Sequence, residues 1–134
     1  MIKILLCCGG GFSSSAISQR MKKEIIEMDM QELVTIDFMP FTLGTKDIDM
    51  YDIMVCCPHL NIYVKQLVEK QVINKPIYIL PPKMYGRMEI KEIYQDSIDI
   101  IKMFNDGKIN PVYFPGEENV LRIQRQCAFA HLKK

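Results

Sequence analysis

Neither sign of charge dominates this chain: 17 Lys and Arg against 16 Asp and Glu leave a formal net charge of +1, mixed along the sequence. That balance gives no electrostatic case for a nucleic-acid partner or an anionic membrane surface, and leaves a protein or a small anion as the expected partner. No apolar stretch approaches the roughly 20 residues a membrane helix needs. The N-terminal apolar run is too short for a signal peptide and breaks off in glycines, so a cytoplasmic protein is expected. An even cysteine framework is also missing: five cysteines fall in two vicinal pairs, Cys7-Cys8 and Cys56-Cys57, plus Cys127. Thiols are the expected state. No internal repeat or low-complexity tract interrupts the 134 residues, and 49% hydrophobic content suffices for one domain without metal or disulfide staples.

What the chain does contain is a regular alternation of strand and helix patterns. Ile2 to Cys7 is almost continuously apolar, as expected of a strand covered on both faces. After a glycine and serine loop, Ile17, Met21, Ile25 and Met28 recur at helical spacing, with Ser13 or Ser14 as the natural N-cap. Leu33 to Met39 reads as a second strand ended by Pro40, Thr42 to Tyr51 as a polar stretch holding a short turn of helix, and Ile53 to Cys57 as a third strand halted by Pro58. Leu60, Tyr63, Val64, Leu67, Val68 and Val72 mark a helix to about Gln71, and Ile77 to Leu80 a fourth strand. Ile90, Ile93, Tyr94, Ile98, Ile101 and Met103 or Phe104 mark a last helix from about Glu89 to Phe104, ended by Asn105-Asp106-Gly107.

This order implies an α/β domain over residues 1–105: a small four-stranded parallel sheet, order 2-1-3-4, flanked by helices on both faces through right-handed crossovers. Residues 106–134 do not fit that unit and form a C-terminal extension, in which Glu118 to Leu132 has the spacing of a further helix that could dock on the domain.

In an open parallel sheet, ligands bind beyond the carboxyl ends of the strands where the winding direction reverses, here between strands one and three. Cys8 leaves strand one at that point and Cys57-Pro58-His59 leaves strand three. Gly9, Gly10 and Gly11 lack a Cβ and can aim successive backbone N–H groups at an anion, while Ser13, Ser14 and Ser15 add hydroxyl donors. Positive potential at the helix start favours the Cys8 thiolate, which points to a nucleophile beside a phosphate site. A glycine-rich turn between strand and helix often binds nothing, and a cysteine among apolar residues is usually a small buried hydrophobe, the role expected of Cys7 and Cys127. Cys8 differs because it sits in the polar loop.

The segment Cys8-Gly9-Gly10-Gly11-Phe12-Ser13-Ser14-Ser15 matches the pattern Cys-x-x-Gly-(Met/Phe)-Ser-(Ser/Thr)-Ser throughout, whereas starting the frame at Cys7 places Gly11 where Met or Phe is required. Pro58 after strand three, Asn74-Lys75-Pro76 before strand four and Tyr85-Gly86 after it extend the match over about residues 1–105. In these features the chain resembles the enzyme IIB component of the phosphoenolpyruvate-dependent sugar phosphotransferase system, in its lactose, cellobiose and chitobiose branch. The resemblance implies a phosphocarrier that accepts a phosphoryl group on Cys8 from a phosphohistidine of the IIA partner. It then passes the group to a sugar, of the β-glucoside or galactoside disaccharide type, held by the membrane-embedded IIC partner. It implies no metal and no organic cofactor. The phosphate-binding residues it implies are Gly9, Gly10, Gly11, Phe12, Ser13, Ser14 and Ser15, with Pro58, His59 and Tyr85 as candidates bordering the site. The chain departs from the family in having Cys57-Pro58-His59 where Gly-Pro-Gln is usual, and in its C-terminal extension.

Two other functions compete. A low-molecular-weight cysteine phosphatase also attacks phosphate with a loop cysteine, but uses Cys-x5-Arg, whose guanidinium clamps the phosphate; that position here is Ser14, and no Arg occurs between Cys8 and Arg20. A thiol redox or zinc protein would use the vicinal pairs, since Cys7 or Cys8 could approach Cys56 or Cys57. Zinc sites favour Cys-x2-4-Cys knuckles, however, and adjacent cysteines in a strand face opposite sides. His59 could hydrogen-bond a phosphate or be a solvated loop histidine, and Tyr85 could lean toward the loop or only pack.

Overall fold

The computed structural model describes residues 2–8, 12–80 and 89–107, together with 110, 112 and 114. Along the chain, β1 (Ile2–Cys8) is followed by α1 (Phe12–Glu27), β2 (Val34–Pro40), α2 (Phe41–Asp47) and β3 (Ile53–Cys56). Then come α3 (Asn61–Lys70), β4 (Ile77–Ile79) and α4 (Ile90–Asn105), with 3-10 turns at Ile48–Met50 and Pro58–Leu60. The four strands form one parallel sheet in the order β2-β1-β3-β4, as the alternation of patterns predicts. The register pairs Cys7 with Met39 on one side and with Cys56 on the other, so β1 is internal and is covered on both faces.

Each face of β1 feeds a separate core. Ile4 and Leu6 pack with Val55, Tyr78, Met21 and Ile25 of α1, and Ile90, Ile93 and Ile100 of α4. Leu5 and Cys7 pack on the other side with Met54, Cys56, Ile79, Ile48 and Val64 of α3. The continuous apolar run of β1 is thus the sum of two alternating sets, which is why it shows no period of two. Glu24 of α1 ties the layer together: its Oε1 accepts the Ile90 N–H at the start of α4, 3.1 Å away, placing a carboxylate at a helix N-terminus whose own Glu89 makes no side-chain cap.

Several sequence expectations shift. The polar stretch after Pro40 holds a two-turn helix and a 3-10 turn, more than the single short turn read from its composition. Met28, Tyr63 and Val72 are exposed, although their spacing assigned them inward. For Met28 the cause is local. Asp29 adopts a positive φ of 58°, with Asp29 N–H donating to the Ile26 carbonyl (3.2 Å) and Met30 N–H to the Ile25 carbonyl (2.8 Å). This left-handed stop satisfies two helix-end carbonyls and turns Met30 inward against Ile25. Val72 lies beyond the last helical residue, Lys70, while Tyr63 stands on the solvent side of a helix that buries Val64. On α4, Ile100 is buried where Ile98 was expected, and the inward face also carries Glu92, Asp96 and Ser97. Asp96 accepts the Tyr78 hydroxyl at 2.5 Å, so one acidic side chain of a helix core face is satisfied by a strand tyrosine.

Beyond α4 the chain returns to the sheet. Asn110 and Val112 hydrogen-bond to Ile77 of the edge strand β4, and Val112 and Phe114 enter the first core.

Candidate functional site

Cys8 is the last residue of β1, paired with Pro40 at the end of β2, and so belongs to the strand and not, as its polar neighbours suggest, to the loop. Phe12 is the first residue of α1, so only positions 9–11 join the end of an internal strand to a helix N-terminus. Ser13 and Ser14 therefore lie inside the first helical turn, and neither is its N-cap, contrary to the sequence expectation. The displacement has a chemical consequence. The N–H groups of Phe12, Ser13 and Ser14 fall among the first donors of α1, which find no acceptor within the helix and carry its partial positive charge. The side chains of Cys8, Phe12, Ser13, Ser14, Ser15 and His59 lie outside the described residues, as do Gly9, Gly10, Gly11 and Tyr85 altogether.

The end of β3 meets the end of β1. Cys57 continues β3 in extended conformation (φ −65°, ψ 153°) and its N–H donates to the Cys7 carbonyl at 3.2 Å. Pro58, buried, then opens a 3-10 turn that contains His59 in its backbone, closed by the Leu60 N–H on the Cys57 carbonyl at 3.0 Å. Of the residues proposed to border the site, Pro58 and the backbone of His59 are brought to the same sheet end as Cys8. Proline has no donor to lose at the first position of the turn, and its fixed φ turns the chain out of the sheet.

The two cysteines preceding these positions are chemically different. Cys7 is fully buried among Leu5, Ile48, Met54 and Cys56, and burial pushes its thiol up to about 12 from an ordinary 9.0. Cys56, also fully buried, is pushed well up by burial and by its neighbour Cys7. Neither is a nucleophile at neutral pH. Gly44 of α2 explains how tightly Cys7 is covered: a Cβ at that position would stand 2.5 Å from the Cys7 Sγ. The sequence carried this signal only as a lone glycine in a polar stretch. The expectation of thiols throughout holds for Cys7 and Cys56 but not for Cys57, which is disulfide-bonded. That difference follows position: the free pair sits within the sheet under α2 and α3, whereas Cys57 lies one residue past the last residue of β3.

Among the described residues no three His, Cys, Asp or Glu side chains are grouped as metal ligands would be, and no helix is long and apolar enough to cross a membrane.

Comparison with known proteins places this architecture. Residues 3–96 match the family model described as the lactose/cellobiose-specific IIB subunit of the PTS system. The solution structure of a cellobiose-specific phosphotransferase IIB component protein from Borrelia burgdorferi is similar, with 25% identity and a TM-score of 0.59 over 76% of this chain and 93% of that one. The lactose-specific IIB component domain of the phosphoenolpyruvate:carbohydrate phosphotransferase system from Streptococcus pneumoniae shares 13% identity, with a TM-score of 0.49 over 78% of this chain and 95% of that one. No curated protein sequence matches the chain. The family match spans the whole strand-and-helix unit from β1 into α4, and on it the chain belongs to the lactose/cellobiose-specific IIB subunits of the sugar phosphotransferase system.

Proposed function

We propose that Cys8 is the phosphoryl acceptor of this IIB component, and that a IIA phosphohistidine is its donor and a sugar held by a IIC permease its acceptor. The observation that carries the reading is the place of Cys8 at the end of the internal strand, with three positions between it and the first turn of α1. The Cys8 thiolate attacks phosphorus in line, the S–P bond forms as the N–P bond to histidine breaks, and the histidine nitrogen leaves with its electron pair. In the second transfer a sugar hydroxyl attacks, the O–P bond forms as the S–P bond breaks, and the sulfur leaves with the electron pair and takes up the proton the hydroxyl gives up. Backbone N–H groups of the loop and of Phe12, Ser13 and Ser14 hold the three equatorial oxygens, a neutral cradle that lets the group pass on without hydrolysing it. Lactose- or cellobiose-type disaccharides are the expected cargo, and the carrier works at the cytoplasmic face of the permease.

The experiment is mass spectrometry after incubation with the upstream phosphohistidine chain. Cys8→Ser is expected to lose all label, while Cys7→Ala keeps it. Label on Cys7 or on a histidine in the Cys8→Ser protein overturns the assignment, and release of inorganic phosphate from an aryl phosphate by the wild type favours a phosphatase instead.

A further inference from the structure

We propose that Cys57 is the disulfide partner of Cys8, forming a reversible bond that prevents phosphoryl transfer while it is closed. The inference rests on the reading of Cys8 as the phosphoryl acceptor. Its structural basis is the β1 and β3 register, which pairs Cys7 with Cys56 and continues through the Cys57 N–H on the Cys7 carbonyl. The next register neighbours are therefore positions 8 and 57. Adjacent strands lie about 4.8 Å apart, within the roughly 4.4 to 6.8 Å that a disulfide spans between Cα atoms. Both positions lie one residue beyond the Cys7 and Cys56 pair of that register.

The two cysteine pairs differ in their bonding state. Cys7 and Cys56 are buried with raised pKa values and stay free thiols, whereas Cys57 is disulfide-bonded. Cys8 and Cys127 are the remaining candidates for its partner. Cys57 is itself fully buried, so it reacts with a neighbouring sulfur and not with a bulky oxidant from solution. Its Sγ stands 3.5 Å from the Cys7 carbonyl, a contact in the oxidised protein and a donor geometry for the thiol once reduced.

The oxidant is a low-molecular-weight disulfide of the glutathione type. The Cys8 thiolate attacks one of its sulfurs, a mixed disulfide forms and one glutathione thiolate leaves. The Cys57 sulfur then gives up its proton and attacks the Cys8 Sγ, closing the protein disulfide and expelling the second glutathione thiolate. Two protein thiols have lost two electrons and two protons, and one glutathione disulfide has become two glutathiones. While the bond is closed Cys8 has no thiolate to attack phosphohistidine; while Cys8 carries phosphate it has none to attack a disulfide. A residue without a thiol at position 57 would leave the mixed disulfide as the end product.

The test treats the full chain with glutathione disulfide, then measures intact mass, maps cross-linked peptides under non-reducing conditions, and assays label from a phosphorylated IIA partner before and after dithiothreitol. The wild type is expected to lose two hydrogens and retain no glutathione, to join the peptide holding Cys8 to that holding Cys57, and to lose labelling until reduced. Cys57→Ala, or Cys57→Ser should the first fold poorly, is expected to keep one glutathione instead. The same cross-link should persist in Cys7→Ala and in Cys56→Ala. Linkage of Cys57 to Cys127, or undiminished labelling of the oxidised wild type, overturns the switch and leaves the carrier reading intact. A Cys8–Cys57 bond in a protein that never accepts label on Cys8 when reduced overturns the carrier reading and the switch with it.

Discussion

Two adjacent cysteines, one residue apart in the same strand, are given different chemistry by the sheet that holds them. Cys7 faces the core under Gly44, where charge is unwelcome and its thiol is raised from 9.0 to about 12. Because the folded value lies above the unfolded one, the unfolded chain sheds this proton first as pH rises. The associated stability is present below pH 9.0 and is lost as pH climbs through about 12. Across that window the loss amounts to roughly 4 kcal/mol at most. Urea unfolding at a series of alkaline pH values checks this: Cys7→Ala should start less stable than the wild type because of the cavity left under Gly44, and the gap should narrow as pH rises from 9.0 toward about 12. A constant gap would show that the Cys7 thiol ionises alike in the folded and unfolded chains. The frame of the motif already pointed to Cys8 over Cys7; the physical reason for it, complete burial of one thiol, was not legible until Gly44 was placed above it.

At the scale of elements, the alternation of patterns was readable because β1 and its neighbours are bounded by glycine and proline, and the strand order observed is the one that alternation predicts. The helix faces were read less well. Ile17, Met21, Ile25 and Met28 keep a helical rhythm that continues one residue past the last helical position, and what ends the rhythm is backbone geometry at Asp29. Nothing about an aspartate in a charged stretch announces a left-handed stop, whereas Gly107, with φ of 108° after α4, fills the equivalent role with the residue that a reader expects. The contrast yields a prediction. Asp29→Gly removes the steric cost of a Cβ at positive φ, partly offset by the greater freedom of the unfolded chain, and should raise stability by about 0.5 to 1 kcal/mol. The midpoint of denaturant unfolding measures it, with the slope unchanged. A loss of stability would mean that the aspartate side chain contributes more than its backbone strain costs. On α4 apolar spacing alone misses the polar residues of the inward face, although Asp96 belongs to the core through its bond with Tyr78.

For the molecule as a whole, the fold does not end where the family match does. The match closes at residue 96, within α4, yet residues further on complete the sheet's exposed edge. Asn110 works as a clasp: its Oδ1 accepts the Ile77 N–H at 2.8 Å, and its Nδ2 donates to the carbonyls of Lys75 at 2.8 Å and Ile73 at 3.3 Å. Two residues on, the Val112 N–H donates to the Ile77 carbonyl at 3.0 Å, forming a parallel bridge opposite Tyr78. Phe114 then meets the Tyr78 ring edge-on, at 6.0 Å and 81°. The backbone groups of β4 that would otherwise invite another chain are thereby occupied. Sequence periodicity could not reveal this, since a single bridge and an asparagine side chain have no period. Replacing Asn110 with alanine removes three hydrogen bonds and leaves the Ile77 N–H with no acceptor. At about 0.5 to 1.5 kcal/mol each, the expected loss is about 2 to 4 kcal/mol. Phe114→Ala, which empties a core position 3% exposed, should cost about 3 to 5 kcal/mol. Asn110 and Phe114 act on the same strap, so the double variant should cost less than the sum of the two, a shortfall that a double-mutant cycle in urea reads directly. Strict additivity would separate the clasp from the core, and a change below about 0.5 kcal/mol in both single variants would show that the domain closes without the strap.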